Sequence, residues 1–179
     1  MTDTSVTVPV VSIVGKGDSG KTTFLEKLIR ELAVRGVRVA TVKHHVHDYD
    51  IDVPGKDSWR HARAGATATM VSSPDKFALV EKVEREYTLL ELAHFAAEAG
   101  CDILLTEGYK LEATVRVEIA RRARSEELLS TADELIAVVT DMPEIVPDGV
   151  AAFALDDASG VADLIQARFL GGSASSGER

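Results

Sequence analysis

This sequence predicts an α/β fold with a mainly parallel sheet and helices on both faces. Three observations carry that prediction. Apolar runs of strand length alternate with segments of helical period along most of the chain, as in sheets whose strands are joined by crossover helices. The first apolar run, Val8 to Val14, opens directly into the glycine-rich Gly15-Lys16-Gly17-Asp18-Ser19-Gly20 and then an amphipathic segment. A later run, Asp102 to Thr106, reads Asp-Ile-Leu-Leu-Thr and is apolar on both faces, the mark of a strand covered on both sides.

The elements follow in order. Pro9 sits near the start of the first strand, where a missing N–H is tolerated. From Thr22 to Arg35, Phe24, Leu25, Leu28, Ile29 and Leu32 recur at helical spacing, and Gly36 is the expected stop. Val37 to Lys43 alternate as a second strand. This β-α-β unit has a right-handed crossover, which sets its two strands parallel in one sheet. His44 to Gly65 is dense in ionisable groups. Its front half, with Pro54-Gly55, reads as a loop, and Asp57 or Ser58 can cap a short helix through Ala64. Ala66 to Ser72 and Phe77 to Lys82 are expected strands around a Ser73-Pro74-Asp75 turn. Thr88 with Glu91 forms a capping box for a helix ending at Gly100. Val115 to Ala120, Leu135 to Thr140 and Ala152 to Leu155 read as strands, and Asp156 to Leu170 as the last helix. Residues 1–170 are expected to form a single domain, followed by a disordered Gly/Ser tail, 171–179.

Gly15, Gly20, Lys21 and Thr22 satisfy G-x-x-x-x-G-K-[ST], with a strand before and a helix after. The logic is a phosphate cradle, since glycines let the backbone curl so that N–H groups point at phosphate oxygens. The helix start adds free N–H groups and a positive dipole end. Residues Gly15, Lys16, Gly17, Asp18, Ser19, Gly20, Lys21, Thr22 and Thr23 are therefore candidates for binding a nucleotide. Lys21 would reach the β- and γ-phosphates, and the Thr22 hydroxyl would ligate Mg²⁺. The fold class sharpens to a three-layer P-loop NTPase. The plain alternative is an ordinary glycine-rich turn between strand and helix.

Composition bounds the class. The chain has 179 residues, 45% of them hydrophobic and 27% charged, enough to build a packed core and too apolar for a disordered chain. No apolar run is long enough to span a membrane, and no secretory signal opens the sequence. A single cysteine, Cys101, permits no internal disulfide and fits a cytoplasmic location. The net charge of −9 argues against non-specific nucleic-acid binding.

Glu107 and Asp102 are the acidic candidates for a second metal contact. Glu107 is preferred, because it leaves its strand at the carboxyl end, where such sheets bind ligands. Lys21 and Glu107 are the catalytic candidates. His44, His45 and His47 beside Asp48, Asp50 and Asp52 could bind Zn²⁺ or Ni²⁺. Their spacing fits no closed structural site, and a polar loop handling an anion is the favoured reading. No Asn-Lys-x-Asp signature is present. Asp141, at the end of the Leu135 to Thr140 strand, is the candidate reader of a guanine base, whose N1–H and 2-amino group suit a carboxylate acceptor. Asp141 could equally cap the turn before Pro143. Gly15 to Thr22 also resembles the deviant P-loop of the signal-recognition and MinD-like class, in which the first lysine reaches a partner's nucleotide across a dimer. Lys16 would be that lysine, although Asp18 stands where that pattern has glycine.

The chain further resembles the MobB family of molybdopterin-guanine dinucleotide biosynthesis. The resemblance rests on Lys43-His44, on Asp52-Val53-Pro54-Gly55-Lys56-Asp57-Ser58, on Ala64-Gly65-Ala66 and on Glu107-Gly108-Tyr109-Lys110. It implies a GTP-binding protein with weak GTPase activity, usually a homodimer, serving molybdenum cofactor maturation. The implied partner is the molybdenum cofactor guanylyltransferase, which joins GMP to molybdopterin. The family's motif residues fall on Gly15, Gly20, Lys21, Thr22, Thr23, His44, Asp52, Gly55, Lys56, Asp57, Glu107, Gly108 and Lys110. Lys16 and Asp18 depart from the pattern. Two other classes stay open. One is a metal-insertion GTPase chaperone using the histidine loop. The other is a small-molecule kinase, for which Arg121, Arg122 and Arg124 could serve.

Overall fold

A computed structural model describes residues 7–44, 51–109 and 115–171. The chain gathers into two compact units, one formed by the chain up to His44 and from Thr88 onward, the other by His45–Tyr87. In chain order the elements are β1 (Val10–Val14), α1 (Lys21–Val34), β2 (Val39–Lys43), α2 (Asp57–Arg63), β3 (Ala68–Ser72), β4 (Phe77–Glu81), α3 (Leu89–Glu98), β5 (Ile103–Glu107), β6 (Arg116–Ala120), β7 (Leu135–Thr140), β8 (Ala151–Phe153) and α4 (Ala158–Ile165).

The first unit is built on a six-stranded sheet of order β2-β5-β1-β6-β7-β8, and every pairing in it is parallel. The β1 and β2 strands are parallel in one sheet, as the crossover rule requires, with β5 inserted between them. Alternate strand residues face opposite layers. On one face Val11, Ile13, Leu105, Val117, Ile119 and Val139 meet Phe24, Leu28 and Leu32 of α1 and Val161, Ala162 and Ile165 of α4. On the other face Leu104 and Val8 meet Ala93 and Ala96 of α3, and Ala120, Leu135 and Val138 meet Met142. Leu28 and Leu32 are fully buried. Burial of a leucine contributes about 1.5–3 kcal/mol, so α1 is held to the sheet chiefly by that stripe.

Helix ends follow the chemistry of their residues. Thr88 and Glu91 form the full capping box. Past the end of α1, Val37 N–H donates to Leu32 C=O and Gly36 N–H to Ala33 C=O. Past α3, Cys101 and Gly100 make the same pair of bonds to Ala96 and Ala97, closing both helices in the Schellman manner. The last helix differs from the single run expected: α4 is capped by Asp157, whose carboxylate accepts from Gly160 N–H, and it passes into a π-turn over Gln166–Leu170.

Several buried polar groups of this unit are paired, whereas the buried Ser19 and Ser130 hydroxyls have no hydrogen-bond partner among the described residues. Ser12 and Thr106 hydroxyls bond at 2.7 Å between β1 and β5. The Glu118 carboxylate, 1% exposed, accepts from Leu129 N–H at 2.7 Å and Ser130 N–H at 2.9 Å, which anchors the segment after β6. Arg116 pairs with Glu134 at 2.8 Å.

The second unit contains α2 and an antiparallel hairpin of β3 and β4, with Met70 opposite Leu79. The N-cap of α2 is Lys56, with no side-chain cap. This corrects the expectation that Asp57 or Ser58 caps it. Asp57 is instead the first helical residue, where a carboxylate favours the positive dipole end. The Arg63 guanidinium lies 5.2 Å from the Trp59 ring centre. Met70, Phe77 and Leu79 of the hairpin are exposed.

Candidate functional site: a glycine-rich cleft at the sheet edge

Because the six strands are parallel, their carboxyl ends share one edge. That edge carries the glycine-rich turn after β1, Lys43-His44 after β2, Glu107-Gly108 after β5 and Asp141 after β7.

The turn after β1 is sterically committed to its sequence. A Cβ on Gly15 would lie 2.4 Å from the Ile119 carbonyl oxygen and 2.8 Å from Ser19 Oγ, and Gly15 has φ +147°. Only glycine lets β1 turn this close to β6. Gly20 is the N-cap of α1, in the left-handed region, with no side-chain cap, and a helix N-terminus favours an anion. Asp18 is the one described non-glycine residue with positive φ, a conformation aspartate tolerates better than most residues.

Lys21 Nζ donates to the carbonyls of Gly15 at 3.0 Å and Lys16 at 2.8 Å, so its ammonium lies over the loop. Thr22 Oγ1 donates to Glu107 Oε1 at 2.9 Å. Lys43 Nζ is 3.5 Å from the same oxygen. Asp18, Gly20, Lys21, Thr22, Thr23, Lys43 and Glu107 line an open cleft of about 450 Å³, within the size range of small-ligand sites. A hydroxyl and a carboxylate oxygen side by side are hard donors, so Thr22 and Glu107 fit a Mg²⁺ ion. Asp102 does not join them. It starts at the opposite edge, accepts Arg38 N–H at 2.8 Å and pairs with its guanidinium at 2.7 Å. The Arg38 side-chain hydrogen bond holds the Asp102 carboxyl below its ordinary value.

The turn after β6 clasps the other flank of the loop. Lys16 Nζ donates to Ser125 Oγ at 2.5 Å, and Arg124 is 3.8 Å from Asp18. The Arg121 guanidinium lies 3.4 Å from where a Gly20 Cβ would be. Lys16 is thus engaged within its own chain. Asp141 Oδ1 accepts Arg122 N–H at 2.9 Å, linking the turns after β6 and β7. Beside it, the Glu144 carboxyl is held below its ordinary value, first by its own backbone N–H and then by the Arg122 guanidinium.

His44 packs its ring on Tyr109, 4.9 Å between centres, and its N–H donates to the Glu107 carbonyl. Gly108, with φ +93°, leaves room for the His44 carbonyl. Asp52, Gly55, Lys56 and Asp57 lie in the second unit. There Asp52 accepts Val53 N–H at 2.8 Å, Asp57 is 3.8 Å from Arg60, and Gly55, Lys56 and Asp57 are exposed. Lys110, His45, His47, Asp48, Asp50 and residues 172–179 fall outside the described residues. Among the described residues no three His, Cys, Asp or Glu side chains converge as a metal-binding group, and no helix is long and apolar enough to cross a membrane.

Sequence reasoning gave Lys43 no role of its own and did not pair Ser125 with Lys16. For Lys43 a signal existed: a charged residue ending a strand at the ligand edge. Ser125, 109 residues from Lys16, offered none.

Comparison with known proteins gives the family and the fold. Residues 10–141 match the model of the family described as molybdopterin guanine dinucleotide synthesis protein B. The chain is 36% identical over 163 residues to the molybdopterin-guanine dinucleotide biosynthesis adapter protein of Escherichia coli, covering 88% of this chain and 91% of that protein. It is 34% identical over 136 residues to the adapter protein of Haemophilus influenzae, covering 76% of each. The crystal structure of Bacillus subtilis MobB superposes with a TM-score of 0.71 at 28% identity, over 95% of this chain and 99% of that one. With the loop, Glu107-Gly108 and the parallel sheet all in place, the chain belongs to the MobB family, molybdopterin guanine dinucleotide synthesis protein B.

Proposed function

We propose that this chain binds GTP with Mg²⁺ in the cleft between the glycine-rich loop and Glu107, as an adapter in molybdopterin-guanine dinucleotide biosynthesis. The carrying observation is the convergence of Lys21, Thr22 and Glu107 at the N-terminus of α1. The loop and first-turn N–H groups would cradle the phosphates. Lys21 would exchange the carbonyls of Gly15 and Lys16 for β- and γ-phosphate oxygens. Thr22 and Glu107 would hold the metal, and Mg²⁺ when bound would neutralise charge building on the phosphates. GTP hydrolysis in this cleft is weak, and the main work is delivery and docking.

The partner is the molybdenum cofactor guanylyltransferase, and molybdopterin is its substrate. The polar stretch with Asp52, Gly55, Lys56 and Asp57 would meet the anionic pterin phosphate or the enzyme, because exposed polar loops tend to carry function. The chain works as a homodimer in the cytoplasm. Support for a second copy comes from the β3–β4 hairpin, where Met70 and Phe77 are each 65% exposed, a poor arrangement for a two-stranded sheet left alone in water. Calorimetry with Mg²⁺–GTP tests the core of this reading. Lys21→Ala is expected to weaken GTP binding by roughly 100-fold, the scale of a lost charge-assisted contact. Unchanged affinity would show that the nucleotide binds elsewhere.

A further inference from the structure

Lys43 ends β2 directly opposite Glu107 of β5 in the parallel register. The backbone fixes the pair, since His44 N–H donates to the Glu107 carbonyl at 2.9 Å. Ammonium and carboxylate therefore leave adjacent strands at the same edge, 3.5 Å apart. The oxygen that Lys43 faces, Oε1, is the one that accepts the Thr22 hydroxyl. The Glu107 side chain is 11% exposed and that of Lys43 55%. A carboxylate so far out of water needs compensating charge, and Lys43 supplies it while its stem remains free to swing into solvent.

We propose that Lys43 is an internal counter-ion that reserves the Thr22–Glu107 position, so that a divalent cation enters it together with a nucleotide and not alone. This rests on the reading of the cleft as a Mg²⁺–nucleotide site. A lone cation must push a positive charge off the oxygen it needs, and the two cations repel at short range. A triphosphate changes the balance, because its own negative charge offers the ammonium a new partner within the same cleft. Lys43 is in these terms a positioning residue for the metal contact, with a role separate from that of Lys21 over the loop carbonyls.

The test titrates Mn²⁺, observed by its paramagnetic resonance, into the full chain with and without a non-hydrolysable GTP analogue. Parent protein, Lys43→Met, Lys43→Gln and Lys43→Arg are compared, each with a melting curve; the exposed position makes all three substitutions mild. Without nucleotide, the Met and Gln variants are expected to bind Mn²⁺ about tenfold more tightly than the parent, and the Arg variant like the parent, as removal of one repelling charge implies. With the analogue present the gap is expected to close. Equal or weaker Mn²⁺ binding by the Met and Gln variants, in a parent that binds the analogue, overturns the role of Lys43 and leaves the nucleotide reading standing. A parent that binds no analogue overturns both.

Discussion

Asp141 has one role that the structure shows and one that a variant can test. Its Oδ1 accepts the Arg122 N–H, which accounts for a role in joining the turns after β6 and β7. An asparagine can accept the same bond through its side-chain oxygen. Asp141→Asn therefore changes what the residue can offer a base while preserving the turn. If Asp141 reads guanine, GTP affinity is expected to fall and xanthosine triphosphate affinity to rise, because the new amide donor suits the xanthine 2-carbonyl. Parallel calorimetry with both nucleotides checks it, and unchanged affinities for both would leave Asp141 a turn residue. At this scale the sequence was most legible where one residue has one job. Lys21, Thr22 and Glu107 could be named because motif spacing and strand ends dictate them. Ser125 could not, because it reaches the loop through a turn whose course is set by buried Glu118 holding Leu129 and Ser130.

Elements were legible where local signals agree. The α3 helix has a capping box at one end and a glycine at the other, and it forms within a residue or so of the expected limits. Thr88→Ala removes the acceptor for Glu91 N–H and is expected to cost about 1 kcal/mol. That is a fall of roughly 2–4 °C in melting temperature for a chain of this size, read from thermal unfolding; an unchanged midpoint would mean that tertiary packing alone holds the helix start. The α2 helix shows the opposite case. Asp57 and Ser58 are both good caps by type, yet Lys56 takes the N-cap, because composition cannot say at which of three adjacent residues the backbone leaves extended geometry. The parallel sheet was expected from alternation, whereas the order β2-β5-β1-β6-β7-β8 depends on contacts between distant segments. The insertion of His45–Tyr87 as a second compact unit was equally silent, since no linker composition marks its ends.

For the whole molecule, the Arg38–Asp102 pair contributes one part of the acid response. The folded state holds the Asp102 carboxyl below its unfolded value, mainly through the Arg38 hydrogen bond. The stability it contributes is therefore complete above the ordinary carboxylate value of 3.8 and is lost as pH falls through the lower folded value. Asp102→Asn is expected to be less stable than the parent at neutral pH, the difference vanishing in strong acid; denaturant melts across pH would show it, and a difference that persists undiminished in strong acid would reject the linkage. The sheet order has a second consequence, which concerns the birth of the protein. Among the described residues the β1 strand pairs with β5 and β6 alone, and Ser12 meets Thr106 across 94 residues of chain. At usual synthesis speeds that interval takes roughly 5–20 s. During it, Val10 to Val14 have neither of their sheet neighbours, and the glycine-rich loop has no Ile119 carbonyl to turn against. The cleft therefore assembles late, from the first strand made and partners that arrive long after it. An early-terminated chain carries the whole glycine-rich motif in its sequence without the β5 and β6 neighbours that give the motif its shape.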